Sequence, residues 1–341
     1  MIYENLCSYL QSCISLSKKR KLKILISFHQ TSKSYTKSNK HYYTLPPRVF
    51  NNYLLAGYCN LDQEYILMIA EKFNKEVNKF IVDLEKKGFV GIGKSDNLLT
   101  GNLEGRLEEI VDRKKILGIR FDSLTAEHVV NNLIKENPFL YKRSISVIGL
   151  GNIGFKIAMS LLECGNNVEI YSRNYKKTFE KCNCMDILKP SSTLARPVLH
   201  REIESSLINK NIIILATNSS DIINKKNCKL INKEARIISV GHEEISREAA
   251  NYFNKNTKVN FSRVDIGKSL IQYITRLIDS DEIIPKRKMH NKKVFVSGGF
   301  IGLPGDYVSD DAENPQLIFG FITQDGKFKR ELKIFDLEED A

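Results

Sequence analysis

The sequence predicts an α/β protein of two domains, a Rossmann doubly wound parallel sheet and an outer α/β domain with a β-rich C-terminal tail. Three observations lead there. Residues 144–174 run as strand, glycine-rich turn, helix and strand without a break. Apolar runs of strand length alternate with helical stripes between Leu22 and Leu133, the pattern of a parallel sheet. The length of 341 residues favours two domains, each large enough to own a core.

Taken in order, Tyr3, Leu6, Leu10 and Cys13 recur at helical spacing and open the chain with an amphipathic helix. The basic cluster Lys18-Lys19-Arg20-Lys21 follows this apolar part instead of preceding it, which argues against a secretory signal. Leu22 to His29 alternates with strand period, and a looser stretch containing Pro46-Pro47 comes next. Leu61, Tyr65, Met68, Ile69 and Phe73 mark a helix, and Phe80 to Leu84 a strand. Leu103, Leu107, Ile110 and Val111 mark another helix, and Ile116 to Phe121 a third strand. Leu124 to Leu133 reads as a helix leading into the glycine-rich unit. Beyond that unit, strands are predicted at 212–215 and 235–240, and helices at 200–208, 244–253 and 265–278. Past Pro285 only short β-like runs remain, at 294–296, 317–319 and 328–334. The expected domains are 1–123, completed by 280–341, and 124–265. Helix 266–279 joins 124–136 as a hinge, with a cleft at the strand carboxyl ends.

The glycine-rich unit carries the chemistry. Ile145, Val147 and Ile148 form a buried strand running into Gly149, Gly151 and Gly154 at G-x-G-x-x-G spacing. Ile153, Ile157, Ala158, Leu161 and Leu162 then make a helical stripe, and Val168 to Tyr171 a second strand. The first glycine allows a tight turn, the second lets a pyrophosphate approach, and the third lets helix and strand pack closely. Backbone amides at the start of the helix, around Asn152 and Ile153, face the phosphates together with the positive end of the helix dipole. Nicotinamide dinucleotide sites that take NAD place a carboxylate about 20 residues on, for the ribose 2′-hydroxyl. Here Ser172, Arg173 and Asn174 stand there, and a hydroxyl with a guanidinium suits a 2′-phosphate, so NADP is favoured over NAD. A plain solvated loop charge is the competing account of Arg173.

Composition bounds the rest. Charged residues at 27% and apolar ones at 42% fit a soluble globular chain, and no apolar run reaches the ~20 residues of a membrane span. The seven cysteines, an odd number, favour a reducing compartment, hence the cytoplasm. Cys182 and Cys184 lack a second pair at zinc spacing, so no metal is expected. The net charge of +12 is spread over scattered clusters instead of one aromatic-lined face, which disfavours nucleic acid as a partner. A small-molecule substrate is the expected partner, and homodimerisation through the cofactor domain is compatible with the sequence.

Several ordered segments resemble the S-adenosyl-L-homocysteine hydrolase family. They are Phe28-His29-Gln30-Thr31, Ile81-Val82-Asp83, Ser95 to Gly101 with Arg106-Leu107, Phe121-Asp122-Ser123-Leu124, Gly241-His242, and the glycine-proline frame Gly298 to Pro304. Together they cover roughly residues 25–305. The generic stretch 144–245 is equally similar to D-2-hydroxyacid dehydrogenases, although Gly241-His242 stands where those enzymes carry a catalytic Arg. The resemblance implies redox at a ribose hydroxyl with His29, Asp83, Asp122 and His242 as acid/base groups. It also implies Thr31, Asn97 and Ser123 as substrate contacts. Important departures accompany it. The family's catalytic Lys falls on Gly118, its Asn on Ser123, its ribose-binding Glu on Asn97 and its late His on Leu303. The NAD-selecting carboxylate is replaced by Ser172. Loss of an alkoxide-stabilising Lys should slow the parental reaction by orders of magnitude.

Each candidate has a structural alternative. His29 and Thr31 could be solvated loop residues. Asp83 and Asp122 could cap helices. His242 could likewise belong to the start of the following helix. Thr217-Asn218 lies over the cofactor ribose or forms a plain turn, and Gly241, after the strand ending at Val240, is a further candidate cofactor contact. Three functions therefore compete: an NAD(P)-dependent enzyme of adenosylhomocysteine-hydrolase type, altered in substrate and using hydride transfer at a sugar or small hydroxy/keto metabolite; a freely exchanging NADP-dependent reductase; and a catalytically silent nucleotide-binding protein that acts by interaction.

Overall fold

A computed structural model describes residues 2–29, 42–59, 61–83, 103–241, 243–278, 287–297 and 302–334. The described chain divides into two compact units, Met1–Ile271 and Gln272–Ala341.

The first unit begins with α1 (Ile2–Lys19), β1 (Lys23–His29), β2 (Tyr43–Phe50), β3 (Tyr53–Cys59), α2 (Gln63–Phe73), β4 (Lys79–Asp83), α3 (Leu103–Glu108) and β5 (Ile116–Ile119). These strands form a sheet in the order β2-β3-β1-β4-β5, parallel except for β2. The opening helix is as expected: Leu6, Leu10 and Cys13 share its buried stripe and pack on Ile24, Ile26, Leu54 and Tyr58. Tyr58 is fully buried and donates its hydroxyl to the Leu6 carbonyl at 2.8 Å, which ties α1 to the sheet.

The stretch read as loose around Pro46-Pro47 is instead an antiparallel pair, β2 with β3. Proline cannot donate to a ladder, but β2 is an edge strand and its register slips between Leu45 and Arg48, across the two prolines. Its partner β3 is buried at every position, as a strand between two others must be.

Next come α4 (Phe121–Glu136), β6 (Ile145–Ile148), α5 (Asn152–Glu163), β7 (Val168–Tyr171), α6 (Tyr175–Leu188), β8 (Pro197–His200) and α7 (Ile203–Leu207). They are followed by β9 (Ile212–Leu215), β10 (Arg236–Ser239), α8 (Arg247–Asn256), β11 (Asn260–Arg263) and α9 (Gly267–Ile278). The six strands are all parallel and ordered β11-β10-β9-β6-β7-β8. This is the doubly wound Rossmann order, in which successive strands are added on one side of β6 as far as β8 and then, from β9 onward, on its other side. One face packs α4, α5 and α6 through Leu133, Ile157, Leu161 and Met185, and the other packs α8 through Ala249 and Phe253. The fold class is therefore α/β with a Rossmann sheet, as the sequence predicts.

Three elements of this domain, α6, β8 and β11, escaped the sequence reading, and a fourth starts later than expected. α6 carries charges around its circumference and buries only Thr178, Cys182 and Met185. β8 and β11 are short edge strands with no buried position, and β11 is the polar run Asn-Phe-Ser-Arg. The helix expected at 244–253 begins at Arg247, capped by the Ser246 hydroxyl, which frees Glu244 for another duty. Helices α4 and α9 are joined by His128, whose Nδ1 lies 2.7 Å from Ser269 Oγ while Asn132 Nδ2 lies 2.9 Å from its Nε2.

The second unit holds β12 (Arg287–His290), β13 (Lys293–Ser297), β14 (Tyr307–Ser309), β15 (Leu317–Ile322) and β16 (Phe328–Ile334), paired in that order. Arg287 donates twice to the buried Asp306, at 2.9 and 2.8 Å, and the Leu303 amide donates to the same carboxylate. The arginine holds the Asp306 carboxyl below the usual carboxylate range. No helix among the described residues is long and apolar enough to cross a membrane.

Replacing Tyr58 with Phe should lower stability by about 1 kcal/mol, the net worth of one buried hydrogen bond, with the packing kept. Urea denaturation would show the midpoint falling at unchanged slope.

Candidate dinucleotide site

Three glycines meet at the switch point, each for a different steric reason. Gly149 follows β6 directly and adopts φ +94°, where an L side chain is strained. A Cβ there would also lie 2.5 Å from the Ala216 carbonyl oxygen, because the chain leaving β9 passes against the turn. Gly154 sits in the first turn of α5 and faces back on that turn. A Cβ on it would lie 2.0 Å from the Gly149 carbonyl oxygen. Gly151 differs, since a Cβ there would meet nothing within 4 Å. Gly149 and Gly154 thus bring backbones together, while Gly151 borders open space.

That space lies at the N-terminus of α5. Gly151 is the N-cap residue and supplies no side-chain acceptor for the first-turn amides, which include those of Asn152 and Ile153. The geometry fits a diphosphate: a bare cap, amides with no intrahelical partner and the positive end of a 12-residue helix. Ile153 packs its side chain toward the core, so only its backbone faces outward chemistry. Lys181 of α6 donates to the Leu150 carbonyl at 2.5 Å and pins the turn from behind. Burial, and then the charge of Lys177, lowers the pKa of that lysine.

The rim continues along the neighbouring strands. Ser172, Arg173 and Asn174 follow β7, with Ser172 half-buried and Arg173 exposed. Asn174 uses its side-chain oxygen to accept from the Lys177 amide at 3.1 Å, so it caps α6. Thr217 and Asn218 follow β9; the Thr217 hydroxyl accepts from the Ser219 amide at 2.8 Å, forming a local turn, and Asn218 is exposed. Gly241 follows β10, and a Cβ on it would lie 2.4 Å from the Thr217 carbonyl oxygen.

Glu244, which sequence reasoning passed over, braces this rim. Its carboxylate is 1% exposed and accepts from the Thr217 amide at 2.8 Å, the Ser239 hydroxyl at 2.7 Å and the Gly241 amide at 2.9 Å. One side chain thereby fixes the loops after β9 and β10 to each other. Burial pushes its pKa up to about 7 against the lowering effect of those three donors. Nothing in the local pattern marks it, because the donors lie 27, 5 and 3 residues away along the chain.

The first turns of α4 and α5 also meet. Asp122, buried in the first turn of α4, faces Asn152 Nδ2 at 3.4 Å, and Lys156 donates to Ser123 Oγ at 2.7 Å. Asp122 is not the cap of α4, since Arg120 occupies that place. Elsewhere, the register Phe28↔Val82 sets His29 and Asp83 at the adjacent carboxyl ends of β1 and β4. The side chains of those two residues lie outside what the structure describes, as do Thr31, Asn97 and His242 altogether. The expected Asp83 and His242 caps therefore have no described geometry. Of the loop Gly298 to Pro304, residues 298–301 also lie outside the described residues. Gly118 lies in β5 opposite Val82. All seven cysteines are free thiols, and among the described residues no group of three His, Cys, Asp or Glu side chains could hold a metal ion.

No family model and no curated protein matches the chain. Solved structures with partial likeness include a shikimate dehydrogenase in complex with NADP+, at 13% identity and TM-score 0.43 over 72% of this chain and 85% of that one. An L-tryptophan dehydrogenase from Nostoc punctiforme gives 11% and 0.43, over 75% of each chain. A ligand-free 5-ketofructose reductase of Gluconobacter sp. strain CHM43 gives 14% and 0.42, over 76% of this chain and 92% of that one. At such identities and scores, none of these likenesses transfers an activity.

Two stability outcomes follow from the glycines and from Glu244. Gly154→Ala should lower the melting temperature sharply, because the clash is with backbone, whereas Gly151→Ala should leave it within a degree or two; differential scanning calorimetry separates them. The raised pKa of Glu244 means the native state prefers this carboxyl protonated. Its contribution to stability is complete below about pH 4.5 and is lost as pH rises through about 7. The span corresponds to roughly 3 kcal/mol. Glu244→Gln should flatten the stability profile over this window, as read by denaturant midpoints across pH.

Proposed function

We propose that this chain is an NAD(P)-dependent oxidoreductase acting on a hydroxyl or carbonyl carbon of a small metabolite. One observation carries the reading: an uncapped helix N-terminus and an unobstructed Gly151 coincide at the switch point of a doubly wound sheet. A bound nicotinamide dinucleotide would supply the hydride chemistry. The chain's own part is to hold and orient it. Amides of Asn152 and Ile153 take the diphosphate, and Ser172 and Arg173 the adenosine ribose. The paired rims at Thr217-Asn218 and Gly241, locked by Glu244, orient the nicotinamide half and keep its loops from spreading.

Holding the proton of the substrate hydroxyl falls to His29, Asp83, Asp122 or His242, each chemically able to exchange one. Thr31, Asn97 and Ser123 are the proposed substrate contacts. A second reading, redox-assisted hydrolysis of the adenosylhomocysteine type, draws support from the adjacent ends of β1 and β4, which bring His29 and Asp83 side by side in the sheet. Gly118 in place of a lysine weighs against the parental rate. Incubation with S-adenosylhomocysteine and assay for adenosine and free thiol decides between the two; release of both products selects the hydrolase.

Calorimetric titration with NAD and NADP tests the cofactor itself. Gly151→Asp should fold normally, since Asp is a good cap, yet lose about a hundredfold in affinity through carboxylate–phosphate repulsion. Unchanged affinity in that variant would reject the proposed site, and no binding of either dinucleotide to the wild-type chain would leave only the catalytically silent reading.

A further inference from the structure

We propose that Arg201, at the end of β8, is the second cation of a 2′-phosphate site and makes the chain selective for NADP. The inference rests on the dinucleotide reading above and extends it to a residue outside the glycine-rich unit. Strands β7 and β8 are parallel neighbours in the register Tyr171↔His200. The next residues on each, Ser172 and Arg201, therefore leave the same edge of the sheet about 4.8 Å apart, with Arg173 following.

Arg201 is held in place. Its guanidinium lies over the Tyr175 ring, 4.6 Å from the centroid, and Tyr175 in turn stacks on Phe179 of α6. Stacking engages the face of the guanidinium and leaves its edge N–H groups free for a planar fork of donors, the geometry that suits phosphate. Neither Arg173 nor Arg201 forms an ion pair with another described residue, although both are exposed. The one carboxylate on β7, Glu169, is already engaged by His200 at 2.8 Å and Lys210 at 2.5 Å. Glu202, beside Arg201 in sequence, is the exposed N-cap residue of α7; its side chain makes no capping hydrogen bond, and it forms no ion pair with Arg201. The neighbouring ends of β7 and β8 thus bring Ser172, Arg173 and Arg201 to the region where an NAD site would place a carboxylate. Guanidinium forks beside a hydroxyl suit a phosphate dianion.

The experiment is calorimetric titration of wild type, Arg201→Ala and Arg201→Lys with NADP, NAD and the fragments 2′,5′-ADP and 5′-AMP. Wild type is expected to bind NADP more tightly than NAD, and 2′,5′-ADP more tightly than 5′-AMP. Arg201→Ala should lose about 10- to 100-fold for the two 2′-phosphorylated ligands and little for the others, the range for charge-assisted hydrogen bonds. Arg201→Lys should fall between, having charge without the fork, and it keeps the test open if the alanine variant does not fold. Equal losses for NADP and NAD would overturn the proposal by assigning Arg201 to adenine stacking, and unchanged affinities would overturn it outright. Failure of both dinucleotides to bind wild type is a different result, rejecting the cofactor reading and this inference with it.

Discussion

The fold depends on one steric constraint: three backbones crowd together where β6 and β9 diverge. The turn at Gly149, the first turn of α5 at Gly154 and the chain at Ala216 approach closely enough that a single methyl group at either glycine would force them apart. This approach sets the angle at which α5 leaves the sheet and therefore where its amides point. The open space at Gly151 is a by-product of that packing, a gap left on the far side of a tight junction. The same logic recurs at Gly241, whose missing side chain lets the loop after β10 close on Thr217.

Glu244 complements those glycines. Glycines permit two loops to touch, but they do not hold them; a buried carboxylate with three donors does. Burying that group raises its pKa, so the brace is most comfortable when protonated and still accepts from the loop amides when it is not. The rim is consequently stiff where the nicotinamide ring would lie, while the adenosine side is built from exposed residues that follow β7 and β8.

Legibility in the sequence tracked the distance over which each signal acts. The glycine unit was readable because strand, turn and helix are contiguous and each glycine has a local reason. The β2–β3 pair was not, because Pro46-Pro47 speaks against a strand unless one knows that β2 lies at an edge with a register slip. α6 hid behind charges on every side, and β8 and β11 behind polar edge positions. At the site, Gly149, Gly151 and Gly154 were foreseeable, whereas Glu244 and Arg201 acquire meaning only through neighbours on other strands. The Asn174 side-chain oxygen caps α6, a role the sequence reading did not assign it.

The adjacent prolines of β2 have a consequence for solubility. A sheet border normally offers a row of idle amide hydrogens onto which a foreign chain can zip. Residues 46 and 47 carry none, and the slipped register beside them throws the remaining groups out of step. This margin of the five-stranded sheet thereby offers fewer donors to a foreign strand, beside a β3 that is apolar throughout most of its length.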